Sequence, residues 1–311
     1  MLTALVIIAR TAQIGASILL AGILTFELVT FGRGGRPASG DFHEIERCLF
    51  RLAVWSLVAS LLSALLWFWL EVASMSGLSL TNAFSTTAWR TVLFETEFGR
   101  VWQLRLGLIA VAFALAPSGL AQDKVRRRAL ILVFWLLSVV LLASLAWISH
   151  AAATRVQPLG LLGDAVHLCA AGGWIGGLAP LAIFLTRARA SLSLGERAAR
   201  VLQRFSTLSL GCVGVLVVSG ISNSWLLVGS IHALLTTPYG CLLLFKLTLF
   251  GILVGFGARN RLAIKTKLLR ASAGSDLLRQ LRRNVICEAC LGLAIVAIVA
   301  CLGVSPPALH P

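Results

Sequence analysis

The chain has 311 residues, of which 58% are hydrophobic and 13% charged, and a mean hydropathy of +0.92, which excludes an ordinary water-soluble domain. Its net charge of +15 argues against nucleic-acid binding, because the positive residues sit in loops between apolar runs, as the positive-inside rule expects. The seven cysteines lie inside or beside those runs and imply no disulfide framework.

A helix needs ~20 apolar residues to cross ~30 Å of hydrocarbon. Eight segments meet that need: 3–31, 47–74, 99–120, 128–150, 160–186, 203–229, 238–259 and 284–304. Helices satisfy their own backbone in lipid, so the predicted fold class is all-α, a polytopic transmembrane helical bundle. Residues 1–311 read as a single integral membrane domain. The first run lacks a basic leading region and carries Arg10 and Gln13, so it reads as a span and not as a cleaved signal. Residues 75–98, with Trp89 and Phe94, read as an interfacial stretch.

Four loops, those after the first, third, fifth and seventh spans, hold 21 of the 27 basic residues. They are expected to be cytoplasmic, which places both termini on the outer side. Small residues recur at helix-contact spacing: Gly172 and Gly176, Gly173 and Gly177, and Gly251 and Gly255. Such pairs let helices approach closely, and packing is the reading they favour over a ligand site.

Polar residues inside the spans can be ranked by depth, since a helix rises ~1.5 Å per residue. His150 lies 22 residues after Arg128, and His167 lies 20 residues before Arg187. Both therefore reach the outer interface. Asp164 is one turn outward of His167 on the same helix face. Glu71 and Arg105 fall at a similar depth, as do Trp102 and Trp147. Arg105 with Asp164 or Glu71 could form a structural ion pair, and the tryptophans could form an interfacial belt.

Two imidazoles beside a carboxylate instead point to a metal site of His150, His167 and Asp164, with Glu71 and Arg105 in support. Such donors suit Cu(II), Zn, Ni or Fe. Met1 and Met75 are the only methionines, so a thioether ladder for Cu(I) is not expected. Deeper polar residues, Lys246, Glu288 and Asn223, are candidates for a route across the membrane. Lysine snorkelling, or pairing of Glu288 with loop arginines, is the alternative for two of them. Cys287 and Cys290, one turn apart, form a weak thiol motif for which packing is favoured. His232, in an outer loop, could help to capture metal but reads first as a solvated histidine.

Several segments resemble the copper resistance protein D family of bacterial inner-membrane proteins. They are TEFGRVWQLRLGL, ISHAAA, LLGDAVHLCAAGGWIGGLAPLAIFL, VSGISNSWLLVGS, TTPYGCLLLFKLTLFGILVGFGARNRL and RRNVICEACLGLAIVAIVACLGVSPPA. The resemblance implies a multi-pass inner-membrane protein, not an enzyme, that handles copper in copper homeostasis and resistance. It implies movement of copper from periplasm toward cytoplasm, and a separate periplasmic copper-binding partner of the CopC type. Carried over by motif, the residues involved are His150, Asp164, His167, Trp174, Lys246 and Glu288. Cu(II) is favoured at the outer site. The sequence contains no nucleotide-binding loop, so ATP-driven pumping is not expected. Two other readings stay open: a b-type haem redox protein with His150 and His167 as axial ligands, and a non-transporting copper assembly or sensor protein.

Overall fold

The computed structural model describes residues 1–31, 40–83, 87–116, 124–149, 157–263 and 275–307. Its helices are α1 (Leu2–Phe31), α2 (Gly40–Ser76), α3 (Ala88–Glu95), α4 (Glu97–Leu115), α5 (Lys124–Ala143), α6 (Gln157–Ala188), α7 (Leu192–Val228), α8 (Ile231–Thr236), α9 (Pro238–Ala263) and α10 (Ser275–Leu302). A short 3-10 helix, Ser144–Ile148, continues α5. All except α3 and α8 are long and apolar enough to span a membrane, which gives the eight expected spans. No strand occurs among the described residues.

Three spans begin seven or more residues earlier than hydropathy predicts, α10 at Ser275 among them. α2 starts at Gly40 and α7 at Leu192, so both helices run through the basic layer before entering lipid. A helix keeps its backbone satisfied in either solvent, and the exposed Arg47 and Arg51 sit on α2 where it leaves the apolar layer. The ends of several helices are capped by side chains. The Ser191 hydroxyl accepts from the Leu194 N–H at 3.4 Å to start α7, and Thr96 accepts from Gly99 at 2.9 Å to start α4. α7 stops at Gly229, whose φ of 72° suits a residue without Cβ.

α1 and α6 form the centre of the bundle, with 67% of each apolar stretch buried, against 11% for α9. They meet where Gly22 crosses Gly176. A Cβ on Gly176 would lie 2.0 Å from the Ile18 carbonyl oxygen, so neither helix tolerates a side chain there. Gly172 and Gly177 likewise face Leu142 and Phe205. The expectation for Gly251 and Gly255 is not met: nothing lies within 4 Å of a Cβ built on either. Small-residue spacing marks a contact only when the helix turns that face toward a neighbour.

The first half of the bundle holds a buried polar seam. Gln13 of α1 donates to Ser60 at 3.1 Å and accepts from Ser63 at 2.6 Å, both on α2. Toward the basic loops, Arg127 of α5 pairs with Glu46 at 2.7 Å and lies 3.9 Å from Glu27. Glu27, near the end of α1, is thus placed beside an arginine of the basic layer.

Candidate functional site

The outer end of the bundle is the end away from the basic loops. There α6 and α7 run antiparallel and are joined by two polar rungs. Asp164 and His167 are three residues apart on α6, and Ser219 and Asn223 are four apart on α7, so each pair shares one helix face. Asp164 accepts from the Asn223 amide at 3.4 Å, and His167 Nδ1 lies 2.9 Å from Ser219 Oγ. Ser219 donates its own proton to the Val215 carbonyl at 2.6 Å. With that proton on the Val215 carbonyl, the serine oxygen is free to accept from His167, the arrangement that puts the imidazole proton on Nδ1 and leaves the lone pair on Nε2. A metal-ligating histidine is held in this way.

A glycine of α7 packs beside the ring. Gly220 faces His167 Cε1, where an added Cβ would sit 3.6 Å away. Asn223 Oδ1 is buried without a hydrogen-bond partner among the described residues. A buried carbonyl oxygen left in that state is costly unless a cation or water meets it. Lys246 of α9 lies within electrostatic reach of Asp164 and His167, and Tyr239 within reach of Asp164.

Two turns inward of His167 on α6 stands Trp174, which is buried and packs edge-on to Phe250 at 6.2 Å. Beyond it is a second polar group. Glu288 of α10 is buried and accepts from the amide of Asn260, whose own oxygen accepts from Asn284 at 2.7 Å. Gly257 separates Trp174 from Glu288, since a Cβ there would lie 3.7 Å from the indole and 3.9 Å from Glu288 Oε2. Asp164, His167, Trp174 and Glu288 thus follow one line between α6, α7, α9 and α10.

Glu71 and Arg105 belong to a different group. Arg10 lies over Trp67 at 4.6 Å, Trp67 meets Trp102 edge-on at 4.9 Å, and Arg105 lies 5.6 Å from the Trp102 ring. Glu71 accepts from Trp67 Nε1 at 3.0 Å. Arg105 is fully buried and donates to Leu141 O and Ser144 Oγ, both at 2.6 Å, where α5 tightens into its 3-10 end. Its hydrogen bonds therefore go to neutral acceptors instead of the expected carboxylates. His150 lies outside the described residues. Cys287 and Cys290 are exposed while Glu288 between them is buried, so the thiols face away from the polar line. His232 is exposed on α8. Among the described residues no three His, Cys, Asp or Glu side chains gather as a metal cage. The donors near one another among the described residues are one histidine nitrogen, one carboxylate and one amide oxygen.

A family model for the copper resistance protein D-like N-terminal domain matches residues 1–160, and one for copper resistance protein D matches residues 199–302. The chain belongs to the copper resistance protein D family. Copper resistance protein D of Pseudomonas syringae pv. tomato is 28% identical over 92% of this chain and 93% of its own length. Copper transport protein CutJ of Bacillus subtilis is 29% identical over 70% of this chain, which spans 40% of that protein. Inner membrane protein YebZ of Escherichia coli is 29% identical over 70% of each chain. No solved structure matches. Membership in this family and the eight apolar helices identify a multi-pass inner-membrane protein of copper resistance.

Sequence reasoning missed Ser219, Asn260 and Asn284. Ser219 stands one turn before Asn223 in the quoted VSGISNSW segment, and that spacing was the available signal.

Proposed function

We propose that the chain takes up copper at its outer, periplasmic end and passes it toward the cytoplasm along the line from Asp164 and His167, past Trp174, to Glu288. The observation that supports this reading is the Ser219 contact, which orients the His167 ring through Nδ1 and suits the tautomer with Nε2 unprotonated. Asp164 supplies charge, Asn223 Oδ1 an unpaired oxygen, and His150 a second imidazole from the loop after α5. An imidazole, a carboxylate and an amide oxygen suit Cu(II) better than Cu(I). A set this small binds a passing ion instead of a permanent one. The copper-related names of the relatives support the choice of ion. A soluble copper carrier of the CopC type in the periplasm fits as the donor to such a site.

The test is copper-64 uptake into proteoliposomes, with metal analysis of the same preparations. Wild type should accumulate copper, whereas His167→Ala should lose both uptake and bound copper. Bound copper without any uptake would instead mark a non-transporting assembly or sensor protein. A strong Soret band in the purified protein would make the histidines haem ligands.

A further inference from the structure

We propose that the crevice between α1, α2, α4 and α5 holds one acyl chain of an anionic phospholipid drawn from the leaflet beside the basic loops. The crevice encloses about 720 Å³, including the part open to the surroundings. α2 and α5 both pack on α1, and α4, only 19 residues long, closes the gap between them in part. Small side chains make the room: Ala53 on α2, Ala112 on α4 and Ala116 just past the end of α4 line it. Leu24, Leu57, Phe134 and Leu141 complete an apolar wall.

The body of the crevice offers nothing to a water molecule or a polar ligand. Ser138 is its one polar residue away from the mouth, and that hydroxyl donates to the Trp135 carbonyl at 2.7 Å. A dry apolar slot inside a membrane is filled by hydrocarbon, and the hydrocarbon at hand is the lipid chain. The slot follows α5 from Arg127 to Leu141, roughly 21 Å at 1.5 Å per residue. One leaflet contributes ~15 Å of a 30 Å core, so a chain entering at the Arg127 end reaches about two thirds of the way along the slot.

The charge at that end selects the headgroup. Glu27 and Arg127 line the mouth, and Arg127 is paired with Glu46 and lies beside Glu27. Arg126 and Arg128 neighbour Arg127 on α5, and Arg47 and Arg51 lie on the turns of α2 that flank Phe50, with Asp41 and Glu44 on the turns just before them. Five arginines against the four carboxylates Glu27, Asp41, Glu44 and Glu46 leave this end net positive. The N-termini of α2 and α5 point to the same end and add to it. Basic pockets between transmembrane helices bind anionic headgroups in this way.

The test uses the full chain in nanodiscs with a photoactivatable acyl-chain phosphatidylglycerol, and in parallel the matching phosphatidylcholine, with crosslinks mapped by mass spectrometry. Phosphatidylglycerol should label residues 108–116 and 130–141 in several-fold excess. Equal labelling by the two lipids, or labels confined to the outward faces of α7 and α9, would overturn the proposal. Ala112→Trp should fill the crevice and abolish that label, while Leu136→Trp, on the exposed face of α5, should leave it. Arg126→Gln with Arg128→Gln should lower the phosphatidylglycerol excess toward equal labelling by the two lipids. If Ala112→Trp does not fold, the two-lipid comparison on the wild type decides alone.

Discussion

His167 and Ser219 are joined through Nδ1 and Oγ at 2.9 Å, and the serine proton is already committed to the Val215 carbonyl. The pair therefore sets a tautomer as well as an orientation. Ser219→Ala removes the acceptor and frees the proton to move to Nε2, where it blocks the metal. Copper affinity should fall roughly 10- to 100-fold, the usual cost of losing a group that orients a ligand. Competition titration against a copper chelator measures it. Ser219→Thr keeps the hydroxyl and should recover most of the affinity. An alanine variant with wild-type affinity would mean that His167 does not bind copper through Nε2.

Lys246 stands within electrostatic reach of Asp164 and His167, and an ammonium there opposes an incoming cation. Lys246→Met retains the stem and removes the charge. The variant should hold copper several-fold more tightly at equilibrium, because like charges on neighbouring groups repel. Its uptake into proteoliposomes should fall at the same time, since release from the outer site becomes slow. A parallel decline in binding and uptake would instead make Lys246 a packing residue.

Eight spans, and the position of His167 and Asp164 at the end away from the basic loops, follow from hydropathy and from counting residues at 1.5 Å each. Depth is a one-dimensional coordinate, and it is silent about helix rotation. Ser219, Asn260 and Asn284 were missed for that reason: a lone serine or asparagine in a span faces lipid or a carboxylate according to rotation alone. Arg105 shows the complementary error. Its depth matches that of Glu71, yet it reaches the carbonyl of Leu141 and the hydroxyl of Ser144, because α4 turns that side chain toward the end of α5. Two glycine pairs of equal spacing also part company, Gly172 and Gly176 facing α1 and α5 and Gly251 with Gly255 facing open space.

That contrast yields a stability prediction. On Gly176, a methyl group would lie 2.0 Å from the Ile18 oxygen, and on Gly22, 2.0 Å from the Gly176 carbonyl carbon. Backbone cannot rotate aside as a side chain does, so α1 and α6 must separate. Gly176→Ala should cost ~3 kcal/mol or more, at or above the upper end for overpacked cores. Gly251→Ala and Gly255→Ala meet nothing and should be neutral or gain up to ~1 kcal/mol from helix propensity. Thermal unfolding in detergent, run on all three, separates the two classes. Comparable losses at Gly176 and Gly251 would refute the crossing.

Glu288 tests the inner half of the proposed route. It is buried, and its nearest described donor is the amide of Asn260, itself oriented by Asn284 at 2.7 Å. Two asparagines in series give a carboxylate one fixed hydrogen bond and leave its Oε2 toward Gly257 and Trp174. An anion so placed attracts a cation leaving the outer site, and the absence of a side chain at Gly257 keeps the approach clear. Glu288→Gln retains volume and hydrogen bonding while removing the charge. Copper bound at the outer site should stay at the wild-type amount, because Asp164, His167 and Asn223 lie more than two turns away along the membrane normal. Uptake should drop about tenfold, the effect of ~1.4 kcal/mol on a barrier. Asn260→Leu should reduce uptake as well, through loss of the orienting donor, and should add a stability loss of ~1–3 kcal/mol because it strands a buried carboxylate oxygen. Uptake by Glu288→Gln at the wild-type rate would remove α10 from the route and leave the outer site as a binding site only.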